Sequence, residues 1–269
     1  MQDKQHRLTE YLASLGRVVV AFSGGVDSAL LALAAHRALG DRAVAVTAVS
    51  PTLTAEEKAD CIALADRIGI THVFLDSREM DDEDFVRNDA RKCYYCKRVR
   101  MRQICDWAEA HGYAHVAEGS NLDDAKDYRP GTQALAELPM IVSPLAQAGF
   151  TKADIRALSK EWQLPTWNKE SSACLASRLA YGIPITAERL GQVEAAERIV
   201  REYIAGQMRV RHHGEVARIE VEDSQLAALM RPEVREDIAA QLKAVGFRYV
   251  TVDIVGYRMG SLNESLPDR

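Results

Sequence analysis

The stretch Val18-Val19-Val20-Ala21-Phe22-Ser23-Gly24-Gly25-Val26-Asp27-Ser28 decides the fold of this chain. A short β-branched apolar run leads into a Ser-Gly-Gly turn, and an Ala- and Leu-rich pattern typical of a helix continues to about Leu39. A buried strand that ends in glycines at a helix start directs backbone N–H groups toward one point, which suits a phosphate group. Gly24 and Gly25 also allow backbone angles that are closed to other residues. The stretch therefore predicts a phosphate-binding loop between a strand and a helix.

The side chains of the loop support the same interpretation. Ser23 and Ser28 supply hydroxyl donors, and Asp27 supplies a carboxylate that can hold a phosphate-bound magnesium ion. No Gly-Lys-Ser/Thr ends the loop, so it is not a Walker A site, and an ordinary N-capped turn would use similar residue types. The loop resembles the SGG-x-DS loop of the PP-loop ATP pyrophosphatases. That resemblance implies that Ser23–Ser28, including Val26, contacts ATP and that ATP is cut between its α and β phosphates.

Length and composition are those of an ordinary globular protein. The 269 residues, 47% hydrophobic and 27% charged, suffice for one α/β domain and a smaller partner domain. A net charge of −5 provides no basic field for nucleic acid. The N-terminus lacks the apolar stretch of a signal peptide, and no apolar run is long enough for a bilayer, so we expect a cytoplasmic protein. Five cysteines favour free thiols or a metal centre over a disulfide framework.

The order of predicted elements indicates two domains. Strands that alternate with helices over residues 1–180 predict a doubly wound parallel sheet, and such sheets bind ligands at the carboxyl ends of their strands. The Ser23–Ser28 loop and the Glu118–Asn121 loop both follow predicted strands. The pattern changes near Pro184, and residues 181–269 predict a smaller α+β domain. We expect its last nine residues, Ser261–Arg269, to form a loose tail.

Three of the cysteines are candidate metal ligands. Cys93 and Cys96 start a predicted helix, and two thiolates at C-x-x-C spacing can reach one metal ion. The pair could belong to a zinc site, although no second pair completes four ligands, or to a redox dithiol without a thioredoxin-like setting. It could also supply two of three ligands to a [4Fe–4S] cluster, with Cys174 as the third, or consist of unrelated thiols. Cys61 and Cys105 lie among apolar residues and are interpreted as core residues.

Several segments, in this order, carry a more specific resemblance. They are Ser23–Ser28, Gly119-Ser120-Asn121-Leu122-Asp123-Asp124, Arg129-Pro130-Gly131, Ser171-Ser172-Ala173-Cys174-Leu175-Ala176-Ser177-Arg178 and Arg209-Val210-Arg211-His212. Together they resemble the LarE family of ATP-dependent sulfur transferases, which act in nickel-pincer nucleotide cofactor synthesis. The resemblance covers nearly the whole chain, and the segment Ser171–Arg178 is its most specific part.

The resemblance implies a two-step chemistry. ATP adenylates a carboxylate of pyridinium-3,5-biscarboxylic acid mononucleotide, and a sulfur nucleophile then displaces AMP to leave a thiocarboxylate. In one type of family member, the cysteine at the position of Cys174 gives up its own sulfur and becomes dehydroalanine. Members with a C-x-x-C pair hold a [4Fe–4S] cluster on three cysteines and deliver sulfide from its open iron. Cys93, Cys96 and Cys174 favour the cluster type in this chain.

The remaining candidate residues are polar. Asn121 and Asp124 are predicted to bind ATP or Mg²⁺, although an Asx-rich turn uses the same residue types. Guanidinium forks suit phosphate and carboxylate groups, and Arg129 and Arg178 are predicted to bind the substrate in this way. The predicted catalytic residues are Cys174, Asp27 and Arg178.

Arg209 and Arg211 alternate along a predicted strand and therefore share one face. In the LarE family this pair matches the substrate-phosphate site. Without that resemblance, two such arginines would indicate a solvated sheet face.

Partners and alternatives follow from the same resemblance. We expect a small-molecule nucleotide substrate, no nucleic acid and no membrane, and a homo-oligomer, with a hexamer as the family's usual form. A PP-loop tRNA thiolase is an alternative, because the basic residues between Arg91 and Arg102 could anchor RNA. A relative of NAD or GMP synthetases would not need the three cysteines. A non-catalytic adenine-nucleotide-binding protein would bind ATP but release no pyrophosphate.

Overall fold

A five-stranded parallel sheet forms the centre of the first part of the chain in the computed structural model. Its strands are β1 (Val18–Ala21), β2 (Ala43–Val49), β3 (Thr71–Asp76), β4 (Val116–Ala117) and β5 (Ile141–Val142). The strand order is β3-β2-β1-β4-β5, and every neighbouring pair is parallel. Because the chain moves from β1 to β2 and β3 on one side and then to β4 and β5 on the other, the sheet is doubly wound, which confirms the predicted fold class.

The structure describes residues 1–124, 130–170 and 173–265, which form two compact units. The first unit comprises Met1–Glu79 and Cys93–Ser172, and the second comprises Met80–Lys92 and Ala173–Arg269. The second unit therefore includes the acidic segment of residues 80–92, which lies in the sequence between strands β3 and β4. The predicted domain boundary after residue 180 stays a prediction. Within the described ranges, no helix combines the length and apolar character needed to cross a membrane.

Helices cover the first sheet and also pack beside the sheet of the second unit. The α-helices are α1 (Gln2–Ser14), α2 (Val26–Leu39), α3 (Ala55–Ile68), α4 (Glu83–Val86), α5 (Lys92–Ala110), α6 (Pro130–Ala136), α7 (Pro144–Gln147), α8 (Lys152–Glu161), α9 (Ala187–Arg201), α10 (Asp223–Leu229) and α11 (Pro232–Ala244). Helix α2 is almost entirely apolar because it packs against the sheet and against helices α1 and α8. Capping boxes begin α3 at Thr54 and α8 at Thr151.

The second unit contains a three-stranded mixed sheet with helices α9 and α11 beside it. Its strands are β6 (Met208–His213), β7 (Val216–Val221) and β8 (Tyr249–Val252). Strands β6 and β7 are antiparallel and β7 and β8 are parallel. Alternating apolar residues of β6 and β7 are buried together with the inner faces of α9 and α11. The predicted small α+β domain is confirmed.

The expectation of a loose C-terminal tail is wrong for the residues that the structure describes. Ser261–Ser265 forms a 3₁₀ turn in which Ser261 and Leu262 are buried. The Ser261 hydroxyl donates a 2.6 Å hydrogen bond to Glu220 Oε1. The buried Glu220 carboxylate needs hydrogen-bond donors, and the Ser261 hydroxyl supplies one and so fixes this segment. The polar sequence of the segment does not indicate this contact.

Candidate active site

The Ser-Gly-Gly turn forms the connection from β1 to α2. Gly24 has a φ of +67°, and a Cβ at this position would lie 2.9 Å from Cys61 Sγ, so both backbone and space require glycine here. Gly25 is the N-cap of α2 in an extended conformation, and the buried Val26 begins the helix. The first N–H groups of a helix have no acceptor within it, so this turn can bind an anion.

The two serines of the turn are joined through their hydroxyls. Ser28 Oγ accepts a 3.2 Å hydrogen bond from the Ser23 backbone N–H and lies 3.2 Å from Ser23 Oγ. Ser28 is buried and also donates to the Gly25 carbonyl oxygen, whereas Ser23 is exposed. Ser28 therefore stabilises the turn, and Ser23 presents its hydroxyl to solvent and to any bound ligand.

The loop after β4 lies directly against this turn. A Cβ at Gly119 would lie 3.1 Å from Asp27 Cβ and 3.3 Å from the Ser28 backbone nitrogen. A residue larger than glycine would therefore force the two loops apart. Strands β1 and β4 are neighbours whose connections run in opposite directions, and ligands of open α/β sheets bind at such a switch point.

Lys152 lies at this switch point and was not predicted. It is the first residue of α8, and its Nζ lies 2.5 Å from Asp27 Oδ2. Its backbone N–H donates a 2.9 Å hydrogen bond to Asp123 Oδ2, so it joins both loops. Asp27 Oδ1 is buried and has no hydrogen-bond partner among the described residues. Lys152 is 125 positions from Asp27, so no local pattern predicts their contact. The sequence signal near Lys152 is the capping residue Thr151, which indicates that a helix begins there.

Asn121 and Asp124 are held by hydrogen bonds within the same loop. Asn121 is buried, and its Oδ1 accepts from the Asp123 backbone N–H at 3.0 Å. Asp124 Oδ2 accepts from the Asn121 backbone N–H, also at 3.0 Å. These contacts form an Asx-rich turn at the sheet edge. The predicted contact of Asn121 and Asp124 with ATP stays a prediction.

The five cysteines fall into two groups. Cys61 and Cys105 are buried, as predicted, and desolvation raises the pKa of each thiol to about 11. Cys93 is exposed and Cys96 is half-buried, and both lie in the first two turns of α5 in the first unit. Cys174 is exposed and lies in the second unit, directly before a 3₁₀ turn. The three candidate metal ligands are therefore the three cysteines that solvent can reach.

The Arg178 guanidinium is buried, pairs with Glu197 and donates hydrogen bonds to groups of its own loop. Its Nε lies 3.0 Å from Glu197 Oε1, and both side chains are at most 5% exposed. Its Nη1 donates to the carbonyl oxygens of Ala173 and Cys174 and to Ser177 Oγ. This geometry favours a role in fixing the backbone around Cys174. The predicted contact of Arg178 with substrate stays a prediction.

Arg211 and Arg209 differ in their surroundings. Arg211 is buried and pairs with Glu220 Oε2 at 2.8 Å. Arg209 is half-buried, and its guanidinium lies over the Tyr257 ring. Desolvation, followed by the nearby charge of Arg178, lowers the pKa of Arg209. An anion beside Arg209 would offset that repulsion, whereas Arg211 already has its counter-charge.

Glu220 is a further charged residue that the sequence did not single out. It is fully buried on β7 and binds Arg211, Arg218 and Ser261. Its neighbours in β7 are apolar, so the sequence pattern marks it as an ordinary polar position of an alternating strand. That pattern does not predict that the carboxylate is buried. Arg129, Ser171 and Ser172 lie outside the described residues, so the predictions that concern them stay predictions.

Comparisons with known proteins agree with this architecture. A model of the NAD synthase family matches residues 1–178. An uncharacterised protein of Synechocystis sp. is 39% identical over 266 residues, which is 99% of both chains. The pyridinium-3,5-bisthiocarboxylic acid mononucleotide synthase of Lactiplantibacillus plantarum is 36% identical over 267 residues, 99% of this chain and 96% of the relative. A tRNA-specific 2-thiouridylase of Rickettsia typhi is 27% identical and matches 59% of this chain and 54% of its own length.

The doubly wound sheet and its Ser-Gly-Gly loop define a protein of the PP-loop ATP pyrophosphatase class, the class in which the NAD synthase match falls. The similarity to the Lactiplantibacillus synthase extends through both units, beyond the range of the NAD synthase model. The chain belongs to the LarE family of this class, which confirms the resemblance drawn from its motifs.

Proposed function

We propose that this chain is an ATP-dependent sulfur transferase of nickel-pincer cofactor synthesis. It adenylates the carboxylates of pyridinium-3,5-biscarboxylic acid mononucleotide and converts them to thiocarboxylates. The observation that carries the proposal is the 36% identity, over 99% of the chain, to a protein named as the synthase of the corresponding bisthiocarboxylic acid. The PP-loop geometry supports the ATP-dependent half of the reaction.

In the first step, a substrate carboxylate oxygen attacks the α-phosphorus of ATP, the α–β bond breaks, and pyrophosphate leaves. The Ser23–Ser28 loop binds the departing pyrophosphate through its backbone N–H groups and the start of α2. The Lys152 ammonium lies where negative charge develops and stabilises it. Asp27, with one oxygen unpaired among the described residues, is the proposed carboxylate near the Mg²⁺ that accompanies ATP.

The nucleotide substrate carries a phosphate and two carboxylates, and arginines are the proposed groups that bind it. These are Arg129, Arg178, Arg209 and Arg211. Arg209 has the best support, because it is half-buried and its hydrogen-bond acceptors, Gln207 Oε1 and the Met208 carbonyl oxygen, carry no charge. We further propose that the active form is a homo-oligomer, as the family resemblance implies.

In the second step, a sulfur nucleophile attacks the acyl carbon, and AMP leaves with the bonding electrons. We propose that Cys93, Cys96 and Cys174 hold a [4Fe–4S] cluster, which supplies the sulfide to be delivered when it is bound. The donor set fits such a group: Cys93 and Cys96 are at i and i+3 on one helix, and all three thiols are accessible.

A sacrificial mechanism is the alternative for the sulfur source. In it, the Cys174 thiolate displaces AMP from the acyl adenylate to form a thioester. A base then removes the Cα proton of Cys174 and the Cβ–S bond breaks, which releases the thiocarboxylate and leaves dehydroalanine. The exposure of Cys174 supports both sulfur sources, whereas the presence of Cys93 and Cys96 favours the cluster. The tRNA thiolase alternative has weaker support, because that match covers 59% of the chain.

The experiment that tests the function is an anaerobic assay with Mg-ATP, the biscarboxylic acid nucleotide and sulfide. We expect pyrophosphate, AMP and a product in which sulfur replaces a carboxylate oxygen, detected by mass spectrometry. Cys174→Ala should retain substrate-dependent pyrophosphate release and lose the thiocarboxylate, and Cys105→Ala, a change at a buried core cysteine, should retain both. Absence of substrate-dependent pyrophosphate from the native protein would contradict the proposal.

A further inference from the structure

The backbone around Cys174 is held by charged side chains, one from its own loop and two from distant parts of the sequence. The segment from Ala173 to Arg178 contains only a short 3₁₀ turn, in which the Cys174 and Ala176 carbonyl oxygens accept the Ser177 and Leu179 backbone N–H groups. Arg178 binds the carbonyl oxygens of Ala173 and Cys174, and Arg211 Nη1 binds that of Ser177 at 3.3 Å. The conformation that presents the Cys174 thiol therefore depends on charged donors.

Lys92 is one of these donors, although it comes from a distant part of the sequence. It is only 6% exposed, and its Nζ donates to the Ala176 carbonyl oxygen at 3.2 Å. The same ammonium binds Asn88 Oδ1 at 2.7 Å and lies 4.4 Å from the centre of the Tyr181 ring. A buried ammonium is costly unless its hydrogen bonds are made, so loss of this group would leave two buried acceptors without their cation.

Asn88 extends the same support along the chain. It is fully buried, has a φ of +59°, and its Nδ2 lies 2.8 Å from the carbonyl oxygens of both Ala180 and Ile183. Its own carbonyl oxygen accepts the Gly182 backbone N–H at 3.1 Å. Asn88 and Lys92 thus bind the backbone on the C-terminal side of Cys174 at several points.

We infer that Lys92 and Asn88 are positioning residues for Cys174. They fix the backbone of residues 176–183 and so hold the Cys174 thiol in the geometry that sulfur transfer requires. Lys92 also immediately precedes Cys93, which is one of the proposed ligands of the cluster. This inference rests on the proposed function in that it assigns the sulfur step to Cys174.

The test combines amide hydrogen exchange with a split assay of the two half-reactions. Lys92→Met removes the ammonium and keeps a side chain of similar length. In this variant, the peptide spanning residues 174–183 should exchange faster while the peptide of α2 is unchanged. Sulfur transfer should fall about tenfold or more, as expected for loss of a charge-assisted hydrogen bond, with the ATP KM and the single-turnover release of pyrophosphate retained. Arg102→Met, at an exposed position of the same helix, is the matched control and should change neither quantity.

A second variant keeps the inference testable if Lys92→Met folds poorly. Asn88→Gly removes the amide but tolerates the positive φ, and it should reproduce the faster exchange of residues 174–183. Unchanged exchange in both variants would overturn the inference. Wild-type sulfur transfer despite faster exchange would overturn it as well, and so would an equal loss of single-turnover pyrophosphate release. Failure of the native protein to transfer sulfur would instead contradict the proposed function, while the exchange data would still decide whether these residues fix the loop.

Discussion

Lys152 Nζ lies 2.5 Å from Asp27 Oδ2, which joins the first residue of α8 to the Ser-Gly-Gly turn after β1. We expect Lys152→Met to lower ATP-dependent pyrophosphate release by about tenfold to a hundredfold, because a cation near the phosphates would be lost. Pyrophosphate release with saturating substrate measures this effect. Lys160→Met, at an exposed position on the same helix, is the control and should behave as wild type. Equal rates for the two variants would contradict a role for Lys152 at the phosphates.

The close approach of Gly119 to the PP-loop gives a steric prediction. In Gly119→Ala, the new Cβ would lie 3.1 Å from Asp27 Cβ and 3.3 Å from a backbone nitrogen, so one of the loops must move. We expect a raised KM for ATP and a weaker affinity for ATP by calorimetry. Gly191→Ala, inside α9 with open space around it, should leave ATP binding unchanged and slightly stabilise its helix. Unchanged ATP affinity in Gly119→Ala would show that the ligand does not use this junction.

The buried pair of Arg178 and Glu197 predicts a large loss of stability when one charge is removed. Glu197→Gln would leave the Arg178 guanidinium buried without a counter-charge, which typically costs about 3–5 kcal/mol. Urea unfolding of the full chain measures this change. Glu215→Gln removes an exposed partner of Arg248, so its unfolding midpoint should stay close to that of wild type. A similar midpoint for both variants would mean that the buried pair does not stabilise the second unit.

His212 predicts how stability depends on pH. Desolvation, together with Arg189 and His213, lowers the pKa of His212 to about 4, from 6.5 for an exposed imidazole. Its neutral form fits the site, since Nδ1 accepts the Gly214 backbone N–H. Between these pKa values the unfolded chain binds more protons than the native chain, so this contribution is complete above pH 6.5 and is lost as the pH falls toward 4.

A variant pair measures the His212 effect. The difference in free energy of unfolding between pH 7.5 and pH 5 should be smaller in His212→Gln than in wild type, because glutamine does not titrate. His6→Gln changes a histidine whose side chain is 71% exposed and should retain the wild-type pH dependence. A His212→Gln protein with the full wild-type pH dependence would refute this source of acid sensitivity.

Local patterns predicted the strand, turn and helix around Ser23–Ser28 because every signal for them lies within that one stretch of sequence. The apolar run of β1, the two glycines and the Ala-rich α2 each carry their own signal. Strand β5 gave no such signal, because only two of its residues are paired. Short pairs of this kind are set by the neighbouring strand and not by propensity.

Charged residues that act across the sequence were not predictable in the same way. Lys152 meets Asp27, and Lys92 meets Ala176, only after the chain has folded. Glu220 looks like any polar position of an alternating strand, yet it is fully buried and binds two arginines and Ser261. The family resemblance identified residues by motif, whereas some of the contacts that hold those residues in place, those of Lys152, Lys92 and Glu220, come from positions outside the motifs.

One anaerobic turnover experiment with added sulfide, in which iron content, product and protein mass are all determined, distinguishes a cluster-bearing sulfur transferase from a sacrificial one. A cluster-bearing enzyme should contain about four irons per chain, make more than one thiocarboxylate per chain, release pyrophosphate and keep its mass. An iron-free protein that makes at most one thiocarboxylate and loses about 34 Da, the mass of H₂S, would establish Cys174 as a sacrificial donor and refute the cluster. Absence of both pyrophosphate and thiocarboxylate would contradict the sulfur transferase itself.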